Sequence, residues 1–122
     1  MRVCYNNRPI VGLIEKVELI GNENKRKTID ARIDSGAEKS SLDSDLAKEL
    51  SLGPVIHKKM IRSAHGKMLR PVMEAVIILA GKKIKAHFTI ADRVHMRYKI
   101  LVGQNILKQG FLIDCLKGHK RP

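Results

Sequence analysis

Tryptophan is absent from this 122-residue chain, and only four aromatic side chains occur, Tyr5, Phe88, Tyr98 and Phe111. So small an aromatic complement leaves little with which to stack exposed bases, which ranks nucleic acid behind other partners without closing it off. Cysteine is scarce too. Cys4 and Cys115 stand near opposite ends, with no Cys-x-x-Cys pair and no further Cys to complete a zinc knuckle. Two buried free thiols are expected, with a disulfide joining the termini as the alternative. No apolar stretch approaches the length needed to cross a bilayer, and residues 1–9 contain no apolar run suited to a signal-peptide core. A soluble, cytoplasmic protein with no membrane partner is therefore expected.

Acidic residues are outnumbered, with 12 Asp and Glu against 24 Lys and Arg and a formal net charge of +12. A field of that sign draws in polyanions of any kind, so it names a sign and not a partner. The basic residues are spread over Lys25-Arg26-Lys27, His57-Lys58-Lys59, Lys82-Lys83 and residues 117–121, and they form no single helical stripe. Solvated faces are the expected role of these runs.

The length suits one hydrophobic core, and residues 1–122 are read as a single domain. Residues 11–20 partly alternate apolar with charged, as a half-buried strand does, and Gly21-Asn22-Glu23-Asn24 turns the chain into a second alternating strand at 28–33. Asp43 is placed to cap a short helix over 44–50. Strands follow at 55–61 and 68–74, joined by a hairpin tip at 63–67 in which Gly66 supplies a positive φ. The apolar run 75–79 predicts a strand buried on both faces. Ile84, Ala86, Phe88 and Ile90 alternate with Lys83, Lys85, His87 and Thr89 in the clearest half-buried strand of the chain. A buried run at 100–102, Gly103, a helix from 104 to about 109 and a last strand at 111–113 complete the pattern. Many short strands, two short helices and no βαβ alternation predict an all-β, closed or partly closed barrel.

Asp34-Ser35-Gly36-Ala37 ends an alternating strand. A Gly-tipped hairpin follows it, and Leu101-Val102-Gly103 then leads into Gln104-Asn105-Ile106-Leu107. In that order the three segments resemble the retropepsins, whose protomers carry an Asp-Thr/Ser-Gly-Ala loop, a flap hairpin and an apolar-apolar-Gly turn entering a short helix. Residues 32–42, Leu69-Arg70-Pro71-Val72, Ala91-Asp92-Arg93, residues 100–107 and Phe111-Leu112-Ile113-Asp114 are more closely similar to the retropepsin-like family historically labelled an ATP-dependent zinc protease. Ser35 stands where Thr is commoner, and Glu38 where a neutral or basic residue is usual.

The resemblance implies a retropepsin-like barrel acting as a homodimer, with Asp34 catalytic, Ser35, Gly36 and Ala37 completing its loop, and Ser63, Ala64, His65, Gly66 and Lys67 forming a flap over substrate. It also implies a connection to ribosomal protein, through the family's association with a ribosomal-protein glutamate ligase. Asp92-Arg93 is read as a buried ion pair supporting the barrel, with a substrate-binding pair as the alternative, and Gly103 as structural support. There is no His-Glu-x-x-His and no phosphate-binding Gly-x-x-x-x-Gly-Lys-Ser/Thr segment, and the His residues are scattered singly, so no metal and no cofactor is expected.

Peptide hydrolysis by this route needs two carboxylates sharing one proton. The sequence has one such loop, because Asp43-Ser44-Asp45 lacks the Gly and reads as a helix start. A second copy of Asp34, brought by another protomer, is therefore expected. Arg62, His65, Lys67 and Arg70 in or beside the flap predict an acidic, Glu-rich protein or peptide substrate. The alternative is a catalytically silent module of the same fold that binds ribosomal components, RNA or polyglutamate through its basic surface.

Overall fold

The computed structural model describes residues 4–64 and 66–118, Ser63 by its backbone alone. His65 of the expected flap and the end of the basic run at 117–121 lie outside the described residues. Strands β1 (Cys4–Tyr5) and β2 (Arg8–Val11) form a hairpin, and β3 (Ile14–Ile20) pairs antiparallel with β4 (Arg26–Ile33). Next come β5 (Ser40–Asp43), α1 (Ser44–Glu49), β6 (His57–Ser63), β7 (Gly66–Leu79) and β8 (Lys82–Ala91). The described chain closes with β9 (Ile100–Val102), α2 (Gln104–Leu107) and β10 (Leu112–Ile113).

Six strands close on themselves in the order β3-β4-β9-β5-β8-β7, because the far end of β7 returns to pair with β3 at Val17↔Leu79. This is the all-β barrel with two short helices that the strand pattern predicts. Its interior holds Val17, Leu19, Leu42, Ile77, Leu79, Phe88, Ile100 and Val102, all fully buried, with Ile106 of α2 packed against them. The alternation read in β8 is kept: Ile84, Ala86, Phe88 and Ile90 point inward. Asp43 caps α1 as expected, its side chain accepting the Leu46 N–H at 3.2 Å.

Several expectations need correction. Residues 11–20 are not one strand: the chain breaks at Gly12-Leu13, so β2 leaves the barrel for a small sheet in which β10 runs parallel to it. The strands expected at 68–74 and 75–79 are a single strand, β7. Its apolar end is fully buried on one face only, with Val76 and Ile78 half-buried on the outside of the barrel. The helix expected from 104 to about 109 is a single turn. Cys4 and Cys115 are free and exposed, not buried, because Cys4 lies on the outer strand of the small sheet and Cys115 in the turn after β10.

Strand β7 outruns its barrel neighbour. Residues 72–79 pair with β8, whereas 66–71 pair only with β6, so β6 and the first half of β7 project from the barrel as a two-stranded hairpin. Met60, Met68 and Leu69 on it are half or more exposed, at 50%, 58% and 57%. Gly66, at φ +110°, forms one side of the tip and pairs with Ser63. No described helix is long and apolar enough to cross a membrane.

Candidate active site

The Asp34 loop is built from two neighbouring strand ends. β4 runs parallel to β9 with Ile33 opposite Val102, and the Asp34 N–H donates to the Val102 carbonyl at 2.9 Å, carrying the ladder one step past the strand. The chain then turns sharply: Ala37 N–H donates to Asp34 O at 3.2 Å, and Gly36 N–H donates to Asp34 Oδ1 at 2.9 Å. One carboxylate oxygen of Asp34 is thus held by its own loop. The residue is partly exposed, and Ser35 and Gly36 beyond it are open to solvent.

The first turn of α2 clamps this loop from behind. Gly103 N–H donates to Ser40 Oγ at 2.9 Å, Gln104 N–H to Ala37 O at 2.8 Å, and Asn105 N–H to Glu38 O at 3.3 Å. The Gln104 side-chain amide donates to Ser35 O at 2.8 Å, and Ser40 Oγ donates to Asn105 Oδ1 at 2.7 Å. Loop carbonyls that the turn leaves without strand partners are thereby satisfied by helix N–H groups that have no partner within the helix. Gly103 has an ordinary extended backbone at φ −101°, so its glycine is required by space: a methyl group there would lie 2.8 Å from Ala37 O and closer still to the Lys39 carbonyl.

Ser40 is the residue that sequence reasoning missed. Fully buried, it joins the Asp34 loop to α2 through both hydrogen bonds of its hydroxyl. Replacing Ser40 by Ala is expected to strand the Gly103 N–H and to cost about 1–3 kcal/mol. Urea unfolding should show a lower midpoint at unchanged slope, and an unchanged midpoint would mean that this bond contributes nothing.

Asp92 and Arg93 are not the ion pair expected. Asp92 is exposed and accepts the Val94 N–H at 3.0 Å in a local turn, while Arg93 Nε donates to Tyr98 O at 3.0 Å and its backbone N–H to Asp43 Oδ1 at 2.8 Å. Burial pulls the Arg93 guanidinium below its usual pKa, with Asp43 opposing the shift and Arg70 adding to it. Arg93 thus supports the loop after β8, and Asp92 caps it.

Between the projecting hairpin and the barrel lies a cleft. One part, about 180 Å³, is lined by Lys39, His57, Lys59, Val72, His87 and Thr89. A second, about 190 Å³, adds Ser40, Ser41, Ile61 and Arg70. Lys39 borders both, and it lies in the segment that joins the Asp34 loop to β5. The rings of His57 and His87 stand 6.2 Å apart, a pairing no sequence spacing announced. Lys59 and Arg70 lie directly opposite one another across β6 and β7, and the buried Arg70 Nε has no hydrogen-bond partner. Like charges opposed across a strand pair are destabilising, so this cleft is cationic at a cost to the fold. Among the described residues no three His, Cys, Asp or Glu side chains gather into a metal-binding group, and none of the acidic side chains hydrogen-bonds to Asp34.

A closed barrel with a projecting hairpin and an Asp-Ser-Gly loop braced by a short helix defines a retropepsin-like protein. Solved structures bear the fold out. A Legionella pneumophila protein of unknown function, Lpg0085, superposes with a TM-score of 0.63 at 21% identity, over 90% of this chain and 95% of that one. The EIAV protease, solved with an inhibitor, gives 0.61 at 22% identity over 98% and 99%. The simian foamy virus (mac) protease gives 0.58 at 16% over 89% and 99%. No curated protein matches the sequence significantly. The family model described as retropepsin-like aspartic endopeptidase RimB matches residues 44–121, more than half of the chain, and the chain belongs to this RimB-like family. The match begins after the Asp34 loop.

Proposed function

We propose that the chain is an aspartic endopeptidase that acts as a homodimer on acidic protein or peptide segments, with Asp34 catalytic in each protomer. The observation that carries this reading is the Asp34 loop itself. Its carboxylate is partly exposed, oriented by the Gly36 N–H and mounted on a loop anchored to α2. A single exposed carboxylate is half of the dyad, and the exposed crest at Ser35 and Gly36 suits close approach of a second, identical loop across a two-fold axis.

In the dimer the two Asp34 carboxylates share one proton. The ionised one takes a proton from water as its oxygen attacks the scissile carbonyl carbon, and the protonated one donates to the carbonyl oxygen, giving a neutral gem-diol. Return of a proton to the amide nitrogen then breaks the C–N bond and releases acid and amine. The hairpin tip at residues 63–67 covers the bound peptide and limits water access. Lys39, His57, Lys59 and Arg70 in the cleft favour a substrate bearing carboxylates.

Mixing wild-type protein with a tenfold excess of inactive Asp34→Asn protomers tests the shared site. Activity on a Glu-rich peptide, per wild-type chain, is expected to fall to about one-eleventh, the statistical chance that a wild-type chain has a wild-type partner. Undiminished activity would show that one chain is sufficient. Cleavage by neither protein, with equal and salt-sensitive binding of acidic ligands by both, would turn the reading to a binding module.

A further inference from the structure

Beside the Asp34 loop, and separate from the cleft under the hairpin, lies a cavity of about 300 Å³ lined by Arg32, Arg93, Met96, Arg97, Tyr98 and Leu101. Three of its six lining residues are arginines and none is acidic. Arg32 and Leu101 are register partners on β4 and β9, both directed away from the barrel interior, which Ile33, Ile100 and Val102 fill. They immediately precede the Asp34 N–H to Val102 carbonyl bond that fixes the loop. Arg32 lies two residues before Asp34, about 7 Å away along the chain direction. That is about the reach of one substrate side chain from the carbonyl being cut.

The arginines are differently held. Arg93 is anchored to the Tyr98 carbonyl, and the Arg97 guanidinium stands 5.5 Å from the centre of the Tyr98 ring. Neither Arg32 nor Arg97 forms an ion pair with a described acidic residue, although most described acidic side chains elsewhere on the surface have a basic partner. Two exposed guanidiniums beside the loop are thus left with their donors free for a ligand. Planar guanidinium pairs best with carboxylate, in two-pronged hydrogen bonds. Met96 and Leu101 offer apolar surface to the methylenes that carry such a group.

We infer that this cavity is the subsite for the substrate residue flanking the scissile bond, and that Arg32 and Arg97 select an acidic side chain there. The inference rests on the aspartic-peptidase reading and deepens it: acidity is read at one position next to the cut, and the charge of the cleft under the hairpin acts on the rest of the segment.

The test uses two peptides identical except for Glu or Gln at that position. Wild-type kcat/KM is expected to favour Glu by about tenfold or more. In the Arg32→Met, Arg97→Met double variant the ratio should fall to near unity with turnover of the Gln peptide retained, and Arg32→Lys, Arg97→Lys should restore part of the preference. Lys83→Met, which removes an exposed charge outside the pocket at the β7–β8 turn, should leave the ratio as it is. The same two peptides are titrated against Asp34→Asn protein, with and without the arginine substitutions, so that binding decides the subsite even if no form cleaves. Absence of cleavage by wild type would count against the peptidase alone. A Glu-to-Gln ratio unmoved by the double substitution, in cleavage or in binding, would overturn the subsite.

Discussion

Asp34→Asn is expected to lower kcat/KM on a Glu-rich peptide by about 10⁴-fold or more, since general acid–base catalysis alone contributes about 10²–10⁴ and both halves of the dyad are lost together. The substitution is nearly isosteric. Asn Oδ1 can still accept the Gly36 N–H that Asp34 Oδ1 accepts at 2.9 Å, so the loop keeps its shape. What disappears is the capacity to take a proton from water and pass it on. Stability should change by less than about 1 kcal/mol, as for other partly exposed positions outside the core. Sedimentation and thermal unfolding alongside the assay separate loss of chemistry from loss of structure. Full cleavage by a folded Asp34→Asn protein would move the chemistry to another residue.

Gly103→Ala should have a large effect on stability. The added methyl would meet the carbonyls of Ala37 and Lys39, both backbone groups, and backbone cannot rotate aside as a side-chain tip would. Relief requires α2 to separate from the Asp34 loop, which breaks the Gly103 bond to Ser40 and the Gln104 bond to Ala37. A cost of roughly 3 kcal/mol is expected, within the range of overpacking in tight sites and enough to lower the melting temperature by about 10 °C or more. Since the same displacement disturbs Asp34, residual folded protein should also lose activity. A variant melting with the wild type would mean that the helix and the loop are not in this contact. Gly66 makes a useful contrast, for a side chain there meets nothing within 4 Å and is disfavoured only by φ +110°.

The parts of the fold legible in the sequence are those fixed by neighbours along the chain. Alternation at Ile84, Ala86, Phe88 and Ile90 follows from the two-residue period of a strand, which any half-buried strand must show. Asp43 announces α1 because a capping carboxylate serves N–H groups two or three residues ahead. Asp34-Ser35-Gly36 is likewise a local turn, and its chemistry is carried by one residue type, so the candidate carboxylate could be named before its surroundings were known.

What lay beyond the sequence depends on partners distant along the chain. Residues 40–43 show no strand signal of their own; Leu42 is held in β5 by Ile90 on one side and Ile100 on the other. Ser40 is an ordinary serine until α2 arrives to take both of its hydrogen bonds. Cys4 reads as a small buried thiol, and only its place on the outer strand β1 exposes it. Asp92 and Arg93 look paired because they are adjacent, yet Asp92 turns to the Val94 N–H and Arg93 to the Tyr98 carbonyl. Lys59 and Arg70, and His57 and His87, meet across strands, and Arg32 and Arg97 line one cavity, so the charge of the cleft and the pocket was present in the composition only as a net sign. Local order follows from residues within a turn of one another. The closure of the barrel at Val17 and Leu79, and with it the grouping of these cations into one cleft and one pocket, was decided by strand register, which links residues whose separation along the chain carries no signal of their contact.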